Sequence, residues 1–291
     1  MSVRQRGWGR AGAALAALAL LFAVAALARP PADPLRADAV TDPPFTALTY
    51  GMQTFLWWDT HSANLHLDWV RLMAFSHVKQ TFAWEDLEPG RGEWHFERAD
   101  AVVAAVAARG LTLVARLSDA PEWAHPSVTG RRDADFIDAP PDAAFMDDWA
   151  AYCGAVAGRY AGRIAAYQVW NEPNLAREWG GRPPAAAAYA DLLRACAVAI
   201  RAADPAAIVI SAGLAPTGTD DSSARPDDIF LQQMYDAGFQ RWADVVGMHA
   251  PGFSAPDLSP DDAERQGRPR FFTFRRVEDL RRVMVANGDA A

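Results

Sequence analysis

The residues best suited to chemistry lie in one short motif, Asn171-Glu172-Pro173, directly after an apolar run. That run, residues 165–170, has the composition of a buried parallel strand, and Pro173 prevents the strand from continuing. A carboxylic acid between apolar walls at a strand end can hold a raised pKa and donate a proton to a departing oxygen. The Asn171 amide can hydrogen-bond a sugar hydroxyl. Alternatively, the motif is only the set of breaker residues that ends the strand.

Two further polar residues stand near the ends of other apolar runs. Arg116 lies near the end of residues 111–117, where it orients a carboxylate or a sugar, or serves as a structural cation beneath the site. His249 ends residues 244–249. A lone histidine is usually an ordinary satisfied polar residue, but at a strand end we expect a contact with sugar or carboxylate.

Tryptophan is abundant, with 11 in the chain, and many of these rings follow candidate strands. Sugar rings present apolar C–H faces that stack on aromatic rings, so we predict sugar contacts for Trp57, Trp84 and Trp170. The alternative is that the rings pack in the core, which explains aromatic residues more often. In the loop after Trp84, we interpret Glu88 as a possible structural anchor, and Trp94 and Phe96 as packing residues.

Alternating strands and helices must position these groups. Six short apolar runs are candidate buried strands, and amphipathic segments with helical spacing lie between them. The interval from one strand to the next fits a βα unit, which indicates an α/β fold, either a (β/α) barrel or a doubly wound sheet. The predicted strands are residues 48–55, 77–82, 111–117, 165–170, 207–212 and 244–249. The predicted helices are residues 64–74, 98–108, 143–160, 185–202, 227–237 and 277–286.

Composition limits the function classes. With 51% hydrophobic and 22% charged residues the chain can bury a sizeable core, and its formal charge of -8 argues against nucleic acid as a partner. A neutral ligand, an oligosaccharide or polysaccharide, agrees better with that charge. Cys153 and Cys196 form no metal-ligand cluster with histidine, so we expect neither a metal nor another cofactor. Whether they pair as a disulfide or stay free stays open.

The amino terminus has the parts of an export signal. Arg4, Arg6 and Arg10 precede an apolar run over residues 11–28 that ends in Ala26-Leu27-Ala28. We predict a cleaved signal peptide or a membrane anchor over residues 1–28 and therefore an extracytoplasmic protein, secreted or anchored to the cell membrane. A proline-rich linker follows over residues 29–44, and one domain over residues 45–291.

The ordered motifs resemble those of a known group of enzymes. Trp170-Asn171-Glu172-Pro173, the tryptophan-rich block that begins at Trp84, and the strand-end His249 together resemble clan A glycoside hydrolases, most closely family 39-like or cellulase-like members. The resemblance implies a (β/α)₈ TIM barrel in which Glu172 is the acid/base of a retaining mechanism. It also implies that Asn171 contacts the sugar 2-hydroxyl and that a glutamate after a seventh strand is the nucleophile.

The chain departs from that pattern at its carboxyl end. Only five residues follow the last predicted helix, so we expect about six βα units and no nucleophile, as in a truncated barrel. The late acids do not replace it: Glu264 is predicted in a polar loop and Glu278 inside a helix. The leading hypothesis is therefore a glycosidase, and the alternative is a secreted or anchored saccharide-binding protein without catalysis.

Overall fold

The computed structural model describes residues 48–59, 61–252 and 255–289, and it confirms the α/β class. In these residues the sheet has five parallel strands in the order β1-β2-β3-β4-β5, each hydrogen-bonded to the next one along the chain. This order is that of a barrel wall and excludes the doubly wound alternative, in which the strand order reverses. The strands are β1 (Gly51–Thr54), β2 (His77–Ala83), β3 (Thr112–Ser118), β4 (Ala166–Val169) and β5 (Ile208–Ile210).

The sixth predicted strand, residues 244–249, is wrong as a continuous strand. Only two isolated parallel bridges form, Ile210 with Val245 and Leu214 with Met248. The two bridges are four positions apart in the segment after β5 but three positions apart in residues 244–249. A regular ladder needs equal steps in both segments, so it cannot run from one bridge to the other. Gly247 lies in the interruption: its N–H donates to the Ser211 hydroxyl (2.9 Å), and a Cβ there would lie 2.3 Å from the Ser211 carbonyl oxygen.

The six predicted helices all form, with ends that differ by up to three residues. Two short helices, α2 (Trp84–Leu87) and α7 (Pro260–Arg265), were not expected. The prediction that Glu264 lies in a loop is wrong, because Ser259 caps α7 by accepting from the Asp262 N–H and Pro260 occupies its first turn. Glu278 lies in a helix as predicted. The helices are α1 (Ala63–Leu72), α2 (Trp84–Leu87), α3 (Glu97–Ala107), α4 (Met146–Arg159), α5 (Ala186–Ala203), α6 (Asp227–Asp236), α7 (Pro260–Arg265) and α8 (Val277–Ala286).

Helices α4 and α5 pack closely behind the sheet. Gly154 and Gly158 on α4 face α5, and a Cβ at either position would only just touch the Ala199 and Ala203 side chains (3.6 and 3.7 Å). This approach brings Cys153 within bonding distance of Cys196, and the structure joins the two as a disulfide with a Cα–Cα distance of 5.3 Å.

A cluster of aromatic side chains fills the space between α4 and the carboxyl ends of β2 and β4. Trp84 stacks on Tyr152 with ring centroids 5.3 Å apart, and Trp149 contacts both Trp84 and Trp170. These four residues, here called the aromatic core, are completely buried. Their polar atoms are satisfied; for example, the Trp170 indole N–H donates to the Glu178 carbonyl (2.9 Å).

The predicted export segment, residues 1–28, and the linker, residues 29–44, lie outside the described residues. In the part of the chain that the structure describes, we find no helix with the length and hydropathy needed to cross a bilayer.

Candidate active site

The turn after β4 gives Glu172 an unusual backbone. Trp170 and Glu172 both have positive φ, 73° and 40°, a conformation that non-glycine residues rarely adopt. Neighbouring strands hold the turn, because the Trp170 N–H donates to Leu117 (2.9 Å) and the Glu172 N–H to Gly213 (3.1 Å). Asn174 is fully buried and anchors the following loop through both atoms of its side-chain amide. The turn therefore fixes the position of Glu172 at the carboxyl end of β4.

Glu172 lines a cavity of about 860 Å³, together with residues that lie on or after each of the five strands. Asn171, Arg116 and His249 line the same cavity, so the structure brings together the four polar residues that the sequence singled out. Glu172 is the one carboxylic acid among the described residues of the lining. The other lining residues are Gly51, Gln53, Phe55, Lys79, Thr81, Pro216, Met248, Ala250 and Pro251.

Two basic side chains contact the Glu172 carboxylate. His249 Nδ1 donates to Oε1 at 2.8 Å, and Arg177 Nη2 donates to Oε2 at 3.3 Å. Burial alone would raise the pKa of Glu172, but the hydrogen bonds and charges of His249 and Arg177 outweigh it and lower the pKa. The expected raised pKa is therefore wrong for this arrangement, in which Glu172 is ionised.

Gly213 is required for the contact between His249 and Glu172. A Cβ at Gly213 would lie 2.4 Å from the His249 ring, so any other residue would displace it. The backbone N–H of His249 also donates to the Leu214 carbonyl (3.2 Å), which fixes the backbone of residues 244–249 next to the segment after β5. The ring therefore depends on the residues after β5 for its orientation.

A second carboxylic acid close to the site was missed in the sequence. Glu178 belongs to a 3₁₀ turn at Ala176–Glu178 and is only 6% exposed. Burial, and then the charge of Glu172, raise the pKa of Glu178 to about 7, against the opposing effects of Arg116 and a hydrogen bond from Asn171. No periodicity marks this residue, because its burial depends on how the loop folds over the cavity.

Two cations from the sheet face this cavity. Arg116 on β3 is 3.8 Å from Asp119, and its buried Nε has no hydrogen-bond partner. Lys79 on β2 was also missed, because no motif of the sequence singles it out. Burial and the like charge of Arg116 lower the pKa of Lys79 to about 8, although Glu172 acts in the opposite direction.

The tryptophans predicted to contact sugar do not line the cavity. Trp84 and Trp170 are completely buried in the aromatic core, and Trp57 is 1% exposed with its indole N–H bonded to Asp86 (2.5 Å). None of the three presents a free ring face, so these sugar contacts are contradicted. The exposed aromatic ring of the cavity is Phe55, which no motif indicated.

The structure supports the packing interpretation of the loop after Trp84. Glu88 accepts from the Trp84 indole N–H (2.8 Å) and from the Gly92 N–H (2.7 Å), so it anchors the loop. Trp94 and Phe96 stack on each other with ring centroids 5.5 Å apart.

Other candidate ligands and acids lie away from the cavity. Among residues 48–59, 61–252 and 255–289, no group of three or more His, Cys, Asp or Glu side chains is placed to hold a metal ion. The exposed acid Asp220 pairs with Arg225, and neither it nor Asp257 lines the cavity.

Comparison with known proteins places the fold. No protein-family model and no curated protein sequence matches the chain. Among solved structures, it is similar to a family 39 glycoside hydrolase from Bacteroides cellulosilyticus (TM-score 0.53, 22% identity), over 72% of this chain and 39% of that one. It is also similar to a GH10 endoxylanase from a sugarcane soil metagenome (0.52, 18%), over 84% and 64%.

A GH39 enzyme from Xanthomonas axonopodis pv. citri matches at a TM-score of 0.50 and 19% identity, over 78% of this chain and 44% of that one. The chain thus spans from about two fifths to two thirds of the length of these three proteins. At such low identity the likeness establishes the fold. The chain has the (β/α)-barrel fold of these glycoside hydrolases, and the described residues include five of its parallel strands.

Proposed function

We propose that this protein is a glycosidase that acts on the O-glycosidic bonds of an oligosaccharide or polysaccharide, with Glu172 as the acid/base of a retaining mechanism. One observation carries the proposal: in a fold shared with glycoside hydrolases, Glu172 lies in the turn directly after β4, lines a large cavity and is hydrogen-bonded to His249. Active sites of (β/α) barrels lie at the carboxyl ends of the strands.

The charge state of Glu172 determines which half of the reaction the unliganded site is ready for. An ionised Glu172 is a base, whereas the first step of a retaining mechanism needs a proton donor. Arg177 is 58% exposed and is the weaker of the two partners, so a sugar in the cavity can displace it. Losing this cation and the surrounding water raises the pKa of Glu172 towards that of an acid.

A retaining mechanism also needs a nucleophilic carboxylate about 5–5.5 Å from the acid/base. The described lining of the cavity offers only Glu172, so in our proposal the nucleophile is absent from these residues. An external anion then becomes the means of testing the acid/base by itself.

The cavity favours an uncharged polyhydroxylated ligand. Asn171 and Gln53 supply amide groups, the Arg116 Nε is an unused donor, and Phe55 offers an exposed ring for a sugar face. The chain carries a net charge of -8, which disfavours polyanionic substrates.

We further propose that the protein is extracytoplasmic, exported or anchored by residues 11–28. Support comes from the apolar run behind three arginines and from the Cys153–Cys196 disulfide, since disulfides persist in oxidising compartments. Fractionating the cells that express the chain tests this; recovery in the cytoplasm would refute it.

The test of function uses aryl glycosides with and without azide. We expect no turnover by the chain alone and, with azide, formation of a glycosyl azide of inverted configuration, because azide replaces the missing nucleophile. Glu172→Gln should lower the azide-dependent rate on substrates with poor leaving groups by about 10²-fold or more, the usual contribution of a general acid. Glu122→Gln, an exposed acid outside the cavity, is the matched control. Equal rates for Glu172→Gln and the control would refute the role of Glu172.

A further inference from the structure

Lys79 is the only lysine in the chain. All the others of the 28 lysine and arginine residues are arginine. The two side chains differ chemically: a guanidinium stays protonated in proteins, whereas a buried amine can lose its proton and become a nucleophile. The single amine side chain of the protein lies on β2 and lines the same cavity as Glu172.

The surroundings of Lys79 favour the neutral amine. Its neighbours in the strand register are Gln53 on β1 and Val114 on β3, neither of which is acidic. Within the described part of the chain the Lys79 side chain has no hydrogen-bond or ion-pair partner. The charged groups that affect its pKa are Arg116 and Glu172. Burial next to a second cation is a known way to make a lysine reactive, and it lowers the pKa of Lys79 to about 8.

We infer that Lys79 is a carbonyl-reactive site, whose amine forms an imine with a hydroxyaldehyde such as the open-chain form of a reducing sugar. Arg116 supports this ligand class, because it lines the same cavity and a guanidinium donates hydrogen bonds to carbonyl and hydroxyl oxygens. Gln53 and Asn171 add amide groups for hydroxyls around the same cavity. The inference goes beyond glycoside cleavage, since it needs no scissile bond.

The reaction is balanced without a further reagent. The Nζ lone pair of Lys79 attacks the aldehyde carbon, and the nitrogen proton passes to the former carbonyl oxygen to give a carbinolamine. The carbon–oxygen bond then breaks as that hydroxyl takes a proton and leaves as water, and the nitrogen loses its remaining proton to leave the imine. Glu172, in the same cavity, can carry the proton between these steps.

The test traps the imine with glycolaldehyde and sodium cyanoborohydride, followed by peptide mapping by mass spectrometry. A lysine amine with a pKa of about 8 is neutral in about one molecule in ten at pH 7, against fewer than about one in a thousand for an ordinary lysine. We therefore expect Lys79 to be labelled at least about tenfold faster than a surface amine, with a rate that is half-maximal near pH 8. The amino-terminal amine is scored on its own peptide.

The matched reference is the double variant Lys79→Arg/Arg91→Lys, which has its single lysine at the surface, because the Arg91 side chain is 63% exposed. Lys79→Met is a second variant, and circular dichroism confirms that each protein is folded. Label on Lys79 no faster than on the amine introduced by Arg91→Lys overturns the inference. Labelling needs no glycosidic bond and no azide, so this test and the test of glycoside cleavage can fail separately.

Discussion

The aromatic core and the cavity that Glu172 lines both lie near the strand ends of the sheet, and they differ in burial and in hydrogen bonding. In the aromatic core, large rings such as Trp84 and Tyr152 are sealed from water, and each polar atom has a fixed partner. In the cavity, the buried Arg116 Nε has no hydrogen-bond partner, and the Glu172 carboxylate contacts two basic side chains. The difference shows that rings next to a barrel site serve to position its turns, while polar groups remain free for a ligand.

The largest effect that tests this contrast is the loss of a ring from the aromatic core. Trp84→Ala should lower the free energy of unfolding by about 3–5 kcal/mol, as removal of a fully buried large side chain does. Urea denaturation measures it. Trp58→Ala is the control, because Trp58 is 54% exposed and should cost no more than about 0.5 kcal/mol. Similar losses of unfolding free energy for both variants would contradict the conclusion that Trp84 belongs to a sealed core and Trp58 does not.

The disulfide between α4 and α5 supports the aromatic core from behind. It closes a sequence separation of 43 residues, for which loop entropy gives a stabilisation of about 4 kcal/mol. Replacing both cysteines by alanine should lower the free energy of unfolding by about 2–4 kcal/mol without moving the groups of the cavity. Denaturation of the variant, with the reduced parent chain as control, measures this. A stability unchanged by reduction would contradict it.

Much of this arrangement could be predicted from the sequence. The helical periods located α8 correctly and α5 within one residue, and the apolar run before Pro173 placed Glu172 at a strand end. These features depend on local patterns that repeat every two or 3.6 residues. The directions of the loop residues do not: α2 turns Trp84 inward immediately after β2, and nothing in the spacing distinguishes an inward ring from an outward one.

The charge states within the site were also out of reach of the sequence. Glu172 was expected to have a raised pKa, but His249, 77 residues away, and Arg177 lower it. Glu178 has the raised pKa instead, because the loop buries it next to Glu172. Such shifts depend on contacts between distant segments and on burial, which composition and periodicity do not report.

Glu178 gives a prediction of intermediate size. Its pKa of about 7 in the folded chain lies above its ordinary value of 4.5. Between these two pH values the folded chain therefore keeps a proton on Glu178 that the unfolded chain has released. Stability should therefore fall as the pH rises from 4.5 to about 7, by on the order of 2 kcal/mol from this residue.

Glu178→Gln mimics the protonated form and should remove this fall in stability. Urea denaturation of both proteins at several pH values shows it, with Glu122→Gln as the exposed control. Parallel pH profiles for the parent and Glu178→Gln would mean that Glu178 is ionised throughout.

The smallest effect, and the one closest to the chemistry, concerns His249 and Arg177, the two basic side chains at Glu172. Its pKa is lowered in the folded chain, so its contribution to stability is present above 4.5 and is lost as the pH falls through the folded pKa. His249→Phe keeps a ring over Gly213 but removes the Nδ1 donor, so it should raise the pKa of Glu172 and flatten stability against pH below 4.5. Arg177→Met should do the same to a smaller extent, because Arg177 is 3.3 Å away and 58% exposed.

Denaturation midpoints between about pH 3 and pH 6 measure these differences for each single variant and for the same substitutions in a Glu172→Gln background. If the two basic side chains act through Glu172, neither substitution should change the pH profile once the carboxylate is gone. A flattening that persists in that background would assign the effect to another acid. An Arg177→Met effect equal to that of His249→Phe would contradict the order of the two partners, in which His249 contributes more than Arg177 to the lowered pKa of Glu172.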